Sequence, residues 1–131
     1  MSKKFYPAVF RKEDIGYSVY FSDLDGCFTE GDTLQEAYTM AVEAIGLYLE
    51  DSAIGAFNFP ETSDITSIKT AANEAAVLIE FDEAEYRKRH NTKSVKKTLS
   101  IPQWLNIMAE ENHINFSQVL QQALKEQLNL A

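Results

Sequence analysis

The sequence is poor in the residues that mark metal sites, disulfide-bonded domains and membrane spans. Its 131 residues include one cysteine, Cys27, and two histidines. A single cysteine cannot form a disulfide within the chain, and no Cys or His spacing is typical of zinc, so we expect no metal and no other cofactor. The apolar runs are far shorter than the roughly 20 residues that cross a bilayer. The N-terminus lacks the long apolar core of a signal peptide, so we expect a cytoplasmic protein.

Proline and glycine are scarce as well, with three and five residues, and the sequence contains no low-complexity tract or internal repeat. Hydrophobic residues make up 45% of the chain and charged residues 24%, which is typical of a globular protein. A chain of this length can form one ordinary domain, or one small domain with a smaller module.

The net charge of −8 is unevenly distributed along the chain. Residues 1–85 contain 5 Lys or Arg and 17 Asp or Glu, which gives −12, and residues 86–131 contain 7 and 3, which gives +4. Six of the later basic residues lie in an acid-free stretch: Arg87, Lys88, Arg89, Lys93, Lys96 and Lys97. A solvated linker would explain this stretch, but the asymmetry also indicates two parts with oppositely charged partners.

The N-terminal part predicts a small α+β domain with the order β-β-β-α-β. The strand candidates are residues 4–10, 17–21, 27–29 and 76–81. Thr33 and Glu36 form a potential capping box, and apolar residues then recur at helical spacing as far as Leu49. We therefore predict a domain over residues 1–85, followed by a charged linker over residues 86–93. Pro7 indicates a sheet edge or a bulge in the first strand.

The C-terminal part, residues 94–131, predicts one strand at about 94–100 and helices at about 102–112 and 116–129. Side chains alternate between the faces of a strand. One face of the strand is mainly apolar, with Val95, Leu99 and Ile101. The other face carries a cation and hydroxyls, at Lys96, Thr98 and Ser100. The helices add apolar stripes that include Trp104, Leu105, Met108, Val119 and Leu120.

About forty residues bury too little surface to be stable alone, and this strand has no local partner. The simplest solution is a second copy, with two strands pairing antiparallel over four helices. The predicted dimer core is Val95, Leu99, Ile101, Trp104, Leu105, Met108, Val119 and Leu120. A two-stranded ribbon fits the major groove of DNA, where lysine and hydroxyl groups contact base edges. The predicted DNA-binding residues are Lys96, Thr98 and Ser100 on the ribbon, with Asn115, Phe116 and Ser117 at the start of the second helix, where free amides can hold a phosphate.

Two segments resemble known families. Residues 97–105 and 114–120, with Ala123 and Leu124, resemble a ribbon-helix-helix DNA-binding domain. Residues 21–37, with the run Gly26-Cys-Phe-Thr-Glu-Gly-Asp-Thr33, resemble the signature of HicB-type antitoxins. The sequence departs from that signature at Asp25, where the family often has proline. It also departs at Phe116, where many ribbon-helix-helix proteins have a basic or small polar residue.

The resemblance implies a partial RNase H-like N-terminal domain without catalytic activity. This domain would bind and neutralise a HicA-type toxin, a small basic mRNA-cleaving protein, by occluding its active site. The C-terminal domain would form a homodimer and repress its own operon by binding the operator, and the resemblance leaves assembly beyond the dimer open. The resemblance does not identify the toxin-binding residues.

Three other interpretations remain. A helix-turn-helix would place the second predicted helix in the groove, but Lys125 is its only cation and lies near its end. The run Asp23-Leu-Asp-Gly26 resembles the start of haloacid dehalogenase-type phosphatases, but the chain is too short for their sheet, so we expect no enzyme. A ribbon-helix-helix repressor that senses a small ligand, with no toxin partner, is the main alternative.

Overall fold

The chain forms two compact units, residues 2–89 and 90–131, in a computed structural model that describes residues 3–51 and 56–130. The strands are β1 (Lys3–Lys12), β2 (Tyr17–Phe21), β3 (Phe28–Gly31), β4 (Glu50–Asp51), β5 (Ala56–Phe57) and β6 (Glu74–Asp82). The helices are α1 (Leu34–Leu49), α2 (Glu83–His90), α3 (Gln103–Glu111) and α4 (Phe116–Gln127), with a 3₁₀ turn at Ile65–Ser67. Within these described ranges, no helix is long and apolar enough to cross a membrane.

The N-terminal unit is built on a four-stranded antiparallel sheet with the order β3-β2-β1-β6, and β4 and β5 form a separate short pair. This confirms the predicted order of three strands, a helix and a further strand. Pro7 lies in the central strand β1, although the sequence pattern indicated an edge or a bulge. Pairing with β2 extends only to Ala8, so Pro7 has no β2 residue opposite it and its missing N–H costs no pairing there.

Helix α1 begins where the capping box predicted. The Thr33 hydroxyl accepts a hydrogen bond from the Glu36 amide at 3.1 Å, which satisfies one N–H that has no partner within the helix. The buried side of α1 packs on one face of the sheet, here called the inner face. The residues that fill this contact include Ala37, Ala41, Ile45 and Leu49 of the helix with Tyr6, Ala8, Phe10, Ile79 and Phe81 of the sheet.

The opposite face of the sheet, here called the outer face, also carries large apolar side chains. The strand registers align Phe28, Tyr20, Val9 and Ala76 in one row across all four strands. Pro7 and Leu78 form the next row, and Phe5 lies beyond them opposite Glu80. Val9, in the middle of the first row, is only 1% exposed.

Helix α2 overlaps residues 86–90 of the segment for which we predicted a charged linker. Tyr86 is buried and packs with Phe57 and Phe81, at ring-centroid distances of 5.7 and 5.5 Å. The ring lies against Gly46 of α1, where a Cβ atom would be 2.1 Å from Tyr86 Cε2. Tyr86 is therefore the buried contact of an otherwise polar helix with the rest of the N-terminal unit.

The strand predicted at about 94–100 is absent from the single chain, since residues 91–102 form neither helix nor strand. A strand is stabilised by its ladder of hydrogen bonds to a neighbour, and no described strand lies beyond Asp82. Helices α3 and α4 confirm the predicted helices at about 102–112 and 116–129. The Asn115 side chain caps α4 by accepting from the Gln118 amide at 3.1 Å, as predicted.

Candidate functional site

The residues predicted to read DNA lie in two places in the C-terminal unit. Lys96, Thr98 and Ser100 are all exposed in the irregular segment before α3. Phe116 and Ser117 are the first residues of α4, where helix N–H groups have no partner within the helix. The side-chain oxygen of Asn115 is already engaged by its capping bond, so its contribution is to hold this helix start in shape.

Over the residues that the structure describes, 90–130, the C-terminal unit has no hydrophobic core of its own. Neither α3 nor α4 has a buried residue, and Trp104 is 63% exposed. Of the predicted dimer-core residues, Leu120 is half-buried and the other seven are exposed: Val95, Leu99, Ile101, Trp104, Leu105, Met108 and Val119. A folded unit rarely leaves so much apolar surface in water without a partner that covers it.

Three of the six clustered basic residues belong to the N-terminal unit. Arg87 pairs with Glu83 at 3.1 Å, Lys88 pairs with Glu85 at 3.2 Å, and Arg89 pairs with Glu43 of α1. Arg87 also lies over the Phe57 ring at 4.8 Å. These contacts show that the basic stretch is not one continuous surface.

The observed boundary therefore changes the charge of each part. Residues 1–89 contain 8 Lys or Arg and 17 Asp or Glu, which gives −9. Residues 90–131 contain 4 and 3, which gives +1. The asymmetry keeps its sign, but the C-terminal unit is only weakly basic, and its cations near the predicted ribbon are Lys93, Lys96 and Lys97.

The acidic turn that resembles a phosphatase motif has a structural role. Both carboxylate oxygens of Asp23 accept hydrogen bonds from Ser63, from its amide at 2.7 Å and its hydroxyl at 2.6 Å. The Tyr6 hydroxyl donates a hydrogen bond to the Pro60 carbonyl at 3.0 Å. The pKa of Tyr6 is raised, mainly because the hydroxyl is buried and to a smaller extent because of the negative charge of Asp23. The turn thus anchors the loop that follows β5. Among the described residues, no group of three His, Cys, Asp or Glu side chains could hold a metal ion.

The surroundings of Cys27 are those of a buried, unreactive thiol. Cys27 is buried, its sulfur lies 3.7 Å from the Ala44 carbonyl, and desolvation raises the pKa of the thiol to about 11. A thiol with such a pKa is almost entirely protonated at neutral pH and is a poor nucleophile.

The sequence over residues 6–124 matches the family described as the HicB-like antitoxin of bacterial toxin–antitoxin systems. The chain belongs to this family. A protein from Haemophilus phage HP1, described as an uncharacterized 14.9 kDa protein in the rep-hol intergenic region, is 47% identical over 45 residues, which is 34% of each chain.

Solved structures of antitoxins and of a toxin–antitoxin complex are similar in fold to this chain. A chain of a toxin–antitoxin complex from Streptococcus pneumoniae is 27% identical, with a TM-score of 0.59 over 96% of this chain and 99% of that one. The antitoxin HicB3 is 26% identical, with a TM-score of 0.53 over 95% and 97%. The antitoxin HicB of Burkholderia pseudomallei, at 21% identity and a TM-score of 0.52 over 95% and 98%, shares the fold. The recognition of a HicB-type antitoxin from residues 21–37 is thereby confirmed.

Sequence reasoning missed the apolar outer face of the N-terminal sheet and the docking of α2. The alternation that identifies a strand does not reveal which face a helix will cover. The sequence features that bear on α2 are a glycine, Gly46, inside α1 and a single aromatic residue, Tyr86, among charged residues, but neither identifies the other as its contact.

Proposed function

We propose that this HicB-like antitoxin has two activities in the cytoplasm. Its N-terminal unit neutralises a HicA-type, mRNA-cleaving toxin by occluding the toxin's active site. Its C-terminal unit forms a ribbon-helix-helix homodimer that binds operator DNA and represses the operon. Family membership supports a regulatory role without enzymatic activity.

The observation that carries the DNA-binding proposal is the C-terminal unit without a core. Its apolar side chains are exposed and residues 91–102 have no strand partner, so a second copy would satisfy both needs. Two antiparallel strands would cover the apolar side with the helices of both chains. The other side would present Lys96, Thr98 and Ser100 twice, and such a ribbon fits the major groove.

Operator binding by single-alanine variants tests this proposal. We expect Lys96→Ala and Thr98→Ala to weaken binding in a gel-shift assay by about 1 to 3 kcal/mol each, without changing the dimer mass. Lys125→Ala is the matched control, because this lysine lies in the last turn of α4. Affinity should fall steeply with salt, since phosphate contacts release counterions. Unchanged affinity in both ribbon variants would contradict the proposal.

The toxin-binding proposal rests on family membership and on charge. The N-terminal unit carries −9, and a small RNA-cleaving toxin is expected to be basic, so long-range attraction favours their association. The similar chain from Streptococcus pneumoniae comes from a toxin–antitoxin complex. An antitoxin that covers the RNA-binding surface would stop cleavage without any chemistry of its own.

The toxin proposal can be tested with residues 1–90 alone. All buried core residues of the described chain lie between Tyr6 and Tyr86, so this fragment contains the complete core. The fragment should stop RNA cleavage by the small basic protein encoded beside this chain. Cleavage that continues in a saturated complex would refute occlusion. Absence of a small basic reading frame next to this one would favour the ligand-sensing repressor instead.

A further inference from the structure

The outer face of the N-terminal sheet has the anatomy of an interface. Four large apolar side chains stand on it, and their exposed fractions are 74% for Phe28, 46% for Phe5, 43% for Leu78 and 41% for Tyr20. The strand registers bring all four onto one surface around the buried Val9. A central apolar area of this kind is more typical of a contact surface than of a solvated sheet face.

Ion pairs flank this apolar area at both ends and neutralise its cations. Lys3 pairs with Glu80 at 3.3 Å at one end, and Arg11 pairs with Glu74 at 3.5 Å at the other. The ionic side chains that the registers place on the outer face sum to only −2: Lys3, Arg11, Glu30, Glu74, Glu80 and Asp82. Most of the −9 of the N-terminal unit therefore lies elsewhere.

This charge distribution discriminates between possible occupants. A basic partner gains most from the strongly acidic parts of the unit and little from a nearly neutral apolar face. A second acidic copy, in contrast, meets the least repulsion where the charge is lowest and the apolar area largest. We propose that the outer face packs against the outer face of a second copy of this chain.

The size of the face determines how this contact forms. One row crosses all four strands and the next two rows cross only β1 and β6, which makes eight positions. With strands about 4.8 Å apart and rows about 7 Å apart, they cover about 250 Å² on each copy, so the contact buries about 500 Å² in total. Such an area is weak between free molecules. Tethering through the C-terminal dimer, a step that rests on the proposed function, raises the effective concentration to the order of millimolar. The exposed segment 91–102 can extend over roughly 40 Å, which permits the two sheets to meet.

Cysteine cross-linking of the full-length chain tests this contact. Facing sheets pack about 10 Å apart, so a short bis-maleimide should join two copies of a Tyr20→Cys variant near the middle of the face. Leu47→Cys is the matched control, because Leu47 lies on α1 and is more exposed, 75% against 41% for Tyr20. The native Cys27 is buried and contributes little background. We expect the Tyr20→Cys variant to cross-link at least ten-fold faster than the control.

A second substitution makes the result specific to the face. Adding Phe28→Lys should slow cross-linking of the Tyr20→Cys variant to the control rate, because it places an unpaired charge in the apolar row. Cross-linking of the Leu47→Cys control at an equal or higher rate would overturn the proposal. So would an unchanged rate after Phe28→Lys.

The same samples separate this proposal from the proposed C-terminal dimer. A light-scattering mass of two copies without fast cross-linking at Tyr20→Cys overturns the sheet contact and leaves the dimer intact. A mass of one copy overturns the C-terminal dimer, and fast cross-linking at high chain concentration would then still support the sheet contact. The small basic protein encoded beside this chain can be added to the same samples. If it protects the Tyr20→Cys thiol from alkylation and the copies do not cross-link, the face belongs to that protein and the proposal is overturned.

Discussion

Replacement of Gly46 by alanine tests how the N-terminal unit holds α2. In an ordinary helix this change stabilises by about 1 kcal/mol, because glycine is a poor helix former. Here the new Cβ atom would lie 2.1, 2.4 and 2.6 Å from the Cε2, Cζ and Cδ2 atoms of Tyr86. Carbon atoms in contact are normally about 3.5 to 4.0 Å apart, so the ring must shift by more than an ångström or leave the core.

The magnitude follows from what Tyr86 loses. Its ring is 3% exposed and packs against Phe57 and Phe81, so there is little room for it to move. Overpacking costs about 1 to 3 kcal/mol, and removal of a large aromatic from a core costs about 3 to 5 kcal/mol. Because the ring has little room to move, the larger cost applies. After the gain of about 1 kcal/mol in helix propensity is subtracted, we expect Gly46→Ala to lower the free energy of unfolding by about 2 to 4 kcal/mol.

Urea unfolding of residues 1–90, followed by circular dichroism, measures this change. The decisive comparison is a double-mutant cycle with Tyr86→Ala. In the Tyr86→Ala background the ring is gone, so Gly46→Ala should become stabilising by about 1 kcal/mol. A higher unfolding midpoint for Gly46→Ala with Tyr86 present would refute the close-packing argument.

Four further predictions concern the same unit. Thr33→Ala should lower the free energy of unfolding by about 1 kcal/mol through loss of the α1 cap, whereas Thr39→Ala on the exposed side of α1 should not, as urea titrations can show. Truncation after Glu85 should destabilise the fragment by roughly 3 kcal/mol or more relative to residues 1–90, because it removes Tyr86 from the core. Burial raises the pKa of Cys27 to about 11, so at pH 8 alkylation followed by mass spectrometry should be about 100-fold slower in the folded chain than in urea. Because this pKa is raised, the protonated Cys27 thiol contributes to the free energy of unfolding. This contribution is complete below about pH 9 and should be lost as the pH rises through about 11.

The sequence predicts α1 well because several local signals agree there. Thr33 provides the cap, the apolar residues keep helical spacing, and Gly31 precedes the start in a position tightly packed against Ala37. The predicted β6 also agrees, since its run of apolar residues is bounded by polar ones. Local pattern and tertiary packing require the same structure in both elements, and such agreement makes an element predictable.

Helix α2 and the position of Pro7 could not be predicted, because each depends on a distant neighbour. Helix α2 is almost entirely charged, and its docking depends on Gly46 some forty residues earlier. Pro7 is compatible with a central strand only because β2 ends opposite Ala8. The predicted strand at 94–100 presents a third case, since no described strand of the chain pairs with that segment.

The C-terminal unit without a core gives the proposed repressor a dependence on its own abundance. Suppose that α3, α4 and the segment before them are stable only when two chains pair. While most chains are still monomeric, the concentration of the DNA-binding dimer then rises with the square of the chain concentration. Halving the number of chains then leaves about a quarter as many pairs. Loss of antitoxin would thus lift transcription of the operon out of proportion to the loss itself, and synthesis would recover before the N-terminal units were exhausted.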